Sequence, residues 1–384
     1  MAERAYFDWN ATAPLRAEAR EAMRDALEHT GNASSVHAEG RAVRRLVEEA
    51  RSHVANLVGA EAKNVTFTSG ATEANTMALA PAIEIGGRRA LRDRLFVSAI
   101  EHPSVRGGGR FAVEDVEELP VTGDGVVDLV ALAKALESSE RPLVSIMLAN
   151  NETGVIQPIA QIADIVHAAS GVLHVDAVQG AGRIDCNVAT LGADLVSLSS
   201  HKLGGPQGAG ALISRGDIHI AEPLIKGGGQ ERGQRAGTEN VAAIAGFGAA
   251  CTAAKNTETE RTELLRDRLE EGIAAATPGA VIFGKSAPRL PNTTLFAVPG
   301  LKAETAIIAF DLNGIAVSSG SACSSGKVQA STVLTAMGVD PAMTRSAVRA
   351  SLGWSTSEAE VDQFLKTWKT LTGSLLKEKR GIAA

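Results

Sequence analysis

At 384 residues the chain is longer than one hydrophobic core usually supports, so two domains are expected. Hydrophobic residues make up 45% and charged residues 21%, the balance of a globular protein and not of a disordered one. The net charge of −6 comes with no basic block, which argues against nucleic acid as the principal ligand; no apolar run reaches about 18 residues and Met1-Ala2-Glu3-Arg4 has no signal-peptide core, so a cytoplasmic protein without a membrane span is expected.

Short apolar runs alternate with helical patterns, which predicts an α/β fold, a mainly parallel sheet with helices on both faces. Val43, Leu46, Val47, Ala50, Val54, Leu57 and Val58 recur at helical spacing and predict a helix over 41–58. Strands are expected at 64–68, 95–100, 143–149, 172–176, 194–199 and 209–213. Thr238-Glu239-Asn240 resembles a helix start, followed by an alanine-rich helix to about Ala254. The charged stretch from Lys255 to Arg268 begins another helix and sets a domain boundary near 258. The remainder reads as an α+β unit: strands at 293–298, 315–318 and 347–352, a helix at 302–312, and a last helix whose stripe of Val361, Phe364, Leu365, Trp368, Leu371 and Leu375 faces a core. There is no internal repeat, low-complexity tract or linker.

Two strand ends carry chemistry. Asp194-Leu195-Val196-Ser197-Leu198 runs into Ser199-Ser200-His201-Lys202 and a glycine-rich turn, Gly204-Gly205-Pro206-Gln207-Gly208; Gly171-Val172-Leu173-His174-Val175 ends on Asp176. Alone, Lys202 would be a solvated loop lysine and Asp176 a helix cap. Together, an amine able to form an imine and an anion able to keep a pyridine nitrogen protonated are what pyridoxal phosphate requires. The strand Val65-Thr66-Phe67-Thr68 passes through Ser69-Gly70 into Ala71-Thr72-Glu73-Ala74-Asn75, so free backbone N–H groups and a helix dipole converge, with the Thr72 hydroxyl as a further donor. An ordinary capped helix looks the same; with Ser199, His201 and Lys202 it becomes a candidate phosphate cradle. His102, in Glu101-His102-Pro103-Ser104, is placed to stack on an aromatic cofactor or exchange protons.

The three cysteines, Cys186, Cys251 and Cys323, are too scattered for a disulfide framework or a metal site, so no intrinsic metal is expected. Cys186 and Cys251 read as packing residues. Cys323 lies among Ser318-Ser319-Gly320-Ser321-Ala322 and Ser324-Ser325-Gly326-Lys327, with almost nothing bulky to bury it, and is the candidate nucleophile.

Spread along nearly the whole chain, Tyr6-Phe7-Asp8, Asn10-Ala11-Thr12, Gly31-Asn32, Ser34-Ser35, Glu101-His102-Pro103-Ser104, Asn150-Asn151-Glu152-Thr153-Gly154, Asp176-Ala177-Val178-Gln179, Ser200-His201-Lys202, Gly229-Gln230-Glu231-Arg232-Gly233, Arg235-Ala236-Gly237-Thr238-Glu239-Asn240 and Ser318-Ser319-Gly320-Ser321-Ala322-Cys323 together resemble the NifS/IscS type of cysteine desulfurase. The resemblance implies a fold type I, aminotransferase-like homodimer. A large pyridoxal-phosphate-binding domain (12–258) holds a mainly parallel seven-stranded sheet, and 1–11 with 259–384 forms a smaller α+β domain carrying a mobile catalytic loop at about 318–331. It further implies conversion of L-cysteine to L-alanine. Lys202 then forms the imine with the cofactor, Asp176 pairs with its ring nitrogen, Gln179 bonds its phenolic oxygen and His102 stacks on its ring. Ala71, Thr72, Ser199 and His201 contact the phosphate, Thr238 reaches it from the second subunit, Asn151 and Arg349 take the substrate carboxylate, and Cys323 takes the sulfur. The resulting persulfide is passed to an iron–sulfur scaffold, whose cluster Cys323 could contact, or to another acceptor protein. Trp9, Ala33 and Gln207 stand where the family often has asparagine, proline and lysine, and the segment from Gly373 to Ala384 does not resemble the scaffold-docking tail of housekeeping members. Cluster assembly, nitrogenase-dedicated assembly and tRNA thiolation all fit. The competing readings are a selenocysteine lyase, an aminotransferase, which has no use for Cys323, and a non-catalytic sulfur-assembly scaffold or regulator, which has no use for Lys202 and Arg349.

Overall fold

A computed structural model of the chain describes residues 4–320 and 330–375. The main sheet has seven strands, β1 (Val65–Thr68), β2 (Arg94–Ser98), β3 (Val116–Leu119), β4 (Pro142–Met147), β5 (Val172–Asp176), β6 (Leu195–Ser199) and β7 (Gly210–Ser214). Their spatial order is β1-β7-β6-β5-β4-β2-β3. The run from β3 to β6 is parallel, and β7 is antiparallel to both of its neighbours. Every residue of β4, β5, β6 and β7 is buried, which is why these segments read as unbroken apolar runs.

Neighbouring residues of the central strands point into different cores. Val144, Leu173 and Val196 pack with helices α1 (Ala38–Leu57) and α3 (Val241–Lys255), while Leu143, Val172 and Leu195 pack with α2 (Ala71–Ala78). Helices cover both faces, so ligands are left the carboxyl edge of the parallel strands. Cys186 and Cys251 are buried in the first of these cores, as packing residues should be.

A second, four-stranded antiparallel sheet has the order β8-β9-β11-β10, from β8 (Val281–Ile282), β9 (Thr293–Ala297), β10 (Ser318–Ser319) and β11 (Val348–Ser351). Helices Glu260–Ala276, Ala303–Leu312 and Glu358–Leu375 pack on it around Phe7, Phe296, Phe310, Phe364 and Trp368. Trp368 is fully buried, stacked on Phe310 at 6.1 Å and edge-on to Phe296 at 5.2 Å. The chain start joins this unit: Ala5–Tyr6 pairs in parallel with Ile315–Ala316, and Asp8 bridges to Ser351.

The structure departs from the sequence pattern in three places. α1 starts at Ala38, before the first periodic valine, because the His37 side chain caps it by accepting from the Gly40 N–H. The run at 315–318 is split between two sheets, with Ile315–Ala316 on the N-terminal strand and Ser318–Ser319 on β11. Edge strand β3 and a three-stranded antiparallel sheet of Ala82–Ile85, Arg88–Leu91 and Ile218–Ile220 escaped the pattern. Their charged, half-solvated residues alternate over too few positions to stand out.

Candidate active site

A cavity of about 530 Å³ opens at the carboxyl ends of the parallel strands. Ala71, Thr72, His102, Asn151, Asp176, Gln179, Ser199, His201, Lys202 and Arg349 all line it. Thr238 is exposed and is not in this lining, and Cys323 lies outside the described residues.

Asp176 is the last residue of β5, only 5% exposed. One carboxylate oxygen accepts from the Val178 N–H at 3.1 Å, the other from Asn75 Nδ2 at 2.8 Å. Asn75, fully buried on α2, donates also to Ser104 Oγ at 2.9 Å. Ser104 in turn meets His102 Nδ1 through both its hydroxyl, at 2.8 Å, and its backbone N–H, at 3.2 Å. Because Nδ1 accepts from that N–H, the neutral ring carries its proton on Nε2. Burial, the largest influence, pushes the His102 pKa down; Asp176 raises it and Lys202 lowers it. One directed chain of hydrogen bonds therefore fixes both the carboxylate and the imidazole.

Below Asp176, His174 is sealed between Ser145 Oγ at 2.8 Å and Ser197 Oγ at 2.9 Å. Burial pushes its pKa down to about 4, so it is neutral despite the nearby Asp176. Glu101 is also buried, and burial raises its carboxyl pKa to about 8 against hydrogen bonds from Ser98 and the Met147 N–H. At neutral pH it adds little negative charge beside Asp176.

Lys202 ends the short turn Ser200–Lys202 that follows β6. Its Nζ donates to the carbonyl oxygens of Asn10 at 2.6 Å and Ala11 at 2.7 Å. Gln179 Nε2 donates to the same Asn10 oxygen at 3.0 Å, while its amide oxygen is held by Arg183 Nη1. His201 Nδ1 lies 3.1 Å from Thr12 Oγ1, and burial, with Lys202 next, lowers its pKa to about 4. On β7, a Cβ at Gly210 would meet Gly70 at 2.6 Å, so only glycine lets that strand run under the turn into α2.

Arg349, on β11, is 2% exposed and enters the cavity from the second sheet. It donates to the Asn151 carbonyl at 2.9 Å and to Asp8 Oδ1 at 2.7 Å, and its buried Nε has no partner among the described residues.

These residues fit pyridoxal phosphate. A neutral histidine and hydroxyls join the first-turn N–H groups of α2 as a cradle for a phosphate. A buried carboxylate faces the same space as a primary amine, and Asn75, which also lines it, has a buried Oδ1 with no partner among the described residues. The motifs contained Asn75, Ser104, Asn10 and Asp8, yet their roles were not evident from sequence. Asn75 lies one helical turn beyond Ala71 and Thr72, and that spacing is the signal that could have placed it on the cavity face.

Residues 5–364 match the Aminotransferase class-V family. The chain is 41% identical over 379 residues to a cysteine desulfurase of Cereibacter sphaeroides, covering 97% of both chains. It is 39% identical over 391 residues to an IscS-like cysteine desulfurase of Mycobacterium tuberculosis, covering 99% of this chain and 98% of that one. Its fold is similar to the crystal structure of a NifS-like protein from Rickettsia africae, with a TM-score of 0.87 at 35% identity over 97% of this chain and 100% of the other. With its lysine and aspartate at adjacent strand ends, the chain belongs to the class-V aminotransferases and, within them, to the pyridoxal-phosphate-dependent cysteine desulfurases.

Proposed function

We propose that the chain removes sulfur from L-cysteine, releasing L-alanine and leaving the sulfur as a persulfide on Cys323. The observation that carries this reading is the convergence of Lys202, Asp176 and Arg349 on one cavity. Pyridoxal phosphate, when bound, supplies the electron sink that weakens the Cα–H and Cβ–S bonds of an attached amino acid.

The protein's own residues supply the rest. The first-turn N–H groups of α2 with Thr72, Ser199 and His201 would hold the phosphate. Asp176, kept in place by Asn75 and Val178, would hold a proton on the ring nitrogen. Gln179, oriented by Arg183, presents Nε2 to the phenolic oxygen. Arg349 and Asn151 orient the substrate carboxylate, for which a guanidinium is well suited. Lys202 Nζ would take the Cα proton and give a proton back to Cα before alanine leaves, and His102, which would lie beside the ring, carries an exchangeable proton on Nε2. The Cys323 thiolate attacks the substrate sulfur: an S–S bond forms, the C–S bond breaks, and its electron pair stays on carbon, which takes a proton to become the methyl group of alanine. Cys186 and Cys251 are unsuited to this role, because burial raises both thiol pKa values, that of Cys186 to about 12.

The working unit is a homodimer, in which Thr238, exposed on its own chain, reaches the phosphate site of the second copy as the family resemblance implies. The persulfide is passed to an acceptor protein, such as an iron–sulfur scaffold. The experiment is turnover of L-cysteine by the yellow holoenzyme with a thiol reductant: alanine and sulfide in equal amounts support the reading. Alanine release that depends on an added keto acid would replace it with transamination.

A further inference from the structure

We propose that the chain binds a halide-sized monovalent anion in a second, smaller cavity that shares Lys202 with the first, between the guanidinium groups of Arg16 and Arg183. This cavity, of about 40 Å³, is lined by Arg16, Arg183 and Lys202 and, among the described residues, by no aspartate or glutamate. Of its neutral polar side chains, Thr257 and Asn292 are already engaged, and Thr259 and Thr262 add hydroxyls to the wall. Thr257 Oγ1 donates to the Ala253 carbonyl and accepts from Arg16, and Asn292 Nδ2 donates to Asn10 and Leu352.

Both arginines are held in place, and among the described residues both retain unused donors. Arg16 lies flat on Trp354, 3.6 Å from the ring centroid, and donates to the Leu203 carbonyl at 2.8 Å and Thr257 Oγ1 at 3.1 Å. Arg183 uses Nη1 alone, toward the carbonyl and the amide oxygen of Gln179. Neither meets a carboxylate among the described residues. Arg51, Arg266, Arg289 and Arg349 all do, in pairs with Glu231, Asp267, Glu270 and Asp8. Burial pushes the pKa of Arg16 and of Arg183 down to about 10, the latter helped by Arg349, so each keeps its charge at neutral pH.

Half-buried cations without a counter-charge are costly, and an anion between them is the group that offsets the cost. The volume of about 40 Å³ exceeds the roughly 10–15 Å³ that one water-sized guest needs and falls far below the about 300–1,000 Å³ of an organic ligand site. A weakly hydrated halide suits a wall made of guanidinium edges and the Trp9 and Trp354 rings, which pack edge to face at 4.6 Å. An occupant here also neutralises Arg183, the residue that orients Gln179.

The test is made on the holoenzyme. Crystals soaked in sodium bromide should show an anomalous bromine peak between Arg16 and Arg183. Thermal midpoints should rise saturably with bromide or chloride above sodium gluconate of equal ionic strength. Arg16→Gln should raise the half-saturating bromide concentration about tenfold or more, whereas Arg20→Gln, which removes an exposed charge, should not change it. Absence of the bromine peak, or equal halide responses from wild type and Arg16→Gln, overturns the proposal; so does an equal loss from Arg20→Gln. If Arg16→Gln does not fold, the peak in the wild-type crystal decides alone.

Discussion

The two sides of the large cavity are built on opposite plans. On the main-sheet side, Asp176, Asn75, Ser104 and His102 form a continuous hydrogen-bonded chain. On the second-sheet side, Arg349 shares its charge with Asp8, and its buried Nε is unbonded among the described residues. The first arrangement suits a resident cofactor, because its dipoles are aligned before anything binds. The second suits a transient ligand, because Arg349 shares its charge with a single carboxylate, Asp8, and a substrate carboxylate can make a second charge-assisted pair with it. Changes on the first side should therefore be felt in cofactor retention and spectrum, and changes on the second in substrate affinity.

Lys202 stands between the two sides, and its loss should have the largest effect. Lys202→Ala should retain pyridoxal phosphate only noncovalently and lose at least about 10²–10⁴-fold in rate from proton transfer alone. Borohydride reduction and peptide mapping of the wild type should place the pyridoxyl label on Lys202; a label on another lysine would refute the assignment. Arg349→Ala should keep the yellow cofactor and lose about 2–4 kcal/mol in kcat/KM for cysteine. An unchanged specificity constant would show that another group holds the carboxylate.

Asn75→Ala should do the reverse of Arg349→Ala. It removes one donor to Asp176, which should cost about 1–3 kcal/mol, seen as faster cofactor release in dialysis while KM for cysteine stays near its wild-type value. A raised KM with unchanged release would erase the distinction between the two sides. His174 sharpens the same contrast through pH. Its folded pKa of about 4 lies below its ordinary 6.5, so the unfolded chain takes up the proton first as the solution is acidified. The stability it contributes is complete above pH 6.5 and is lost as the pH falls toward 4, at up to about 1.4 kcal/mol per pH unit. Urea midpoints between pH 7 and 5 should fall less steeply in His174→Asn than in wild type; parallel slopes would show that His174 is not the titrating group.

The same division explains what was legible in the sequence. β4 to β7 are buried on both faces, so their apolar runs announced them. Asp176 and Lys202 end β5 and the turn after β6, which is where parallel sheets put their chemistry. What was hidden depends on contacts between distant segments. Asn75 reaches Asp176 across 101 positions and Arg349 reaches Asp8 across 341, and no local periodicity encodes either pair. β3 was hidden for another reason: Val116–Leu119 carries two glutamates on a sheet edge, where burial no longer selects for apolar residues.

The most direct test of the account is mass spectrometry of the holoenzyme after a single turnover of L-cysteine. One extra sulfur atom is expected on the peptide containing Cys323, with one alanine released for each and unmodified peptides at Cys186 and Cys251. An extra sulfur on either buried cysteine, or alanine formed while Cys323 stays unmodified and Cys323→Ser remains fully active, would contradict it.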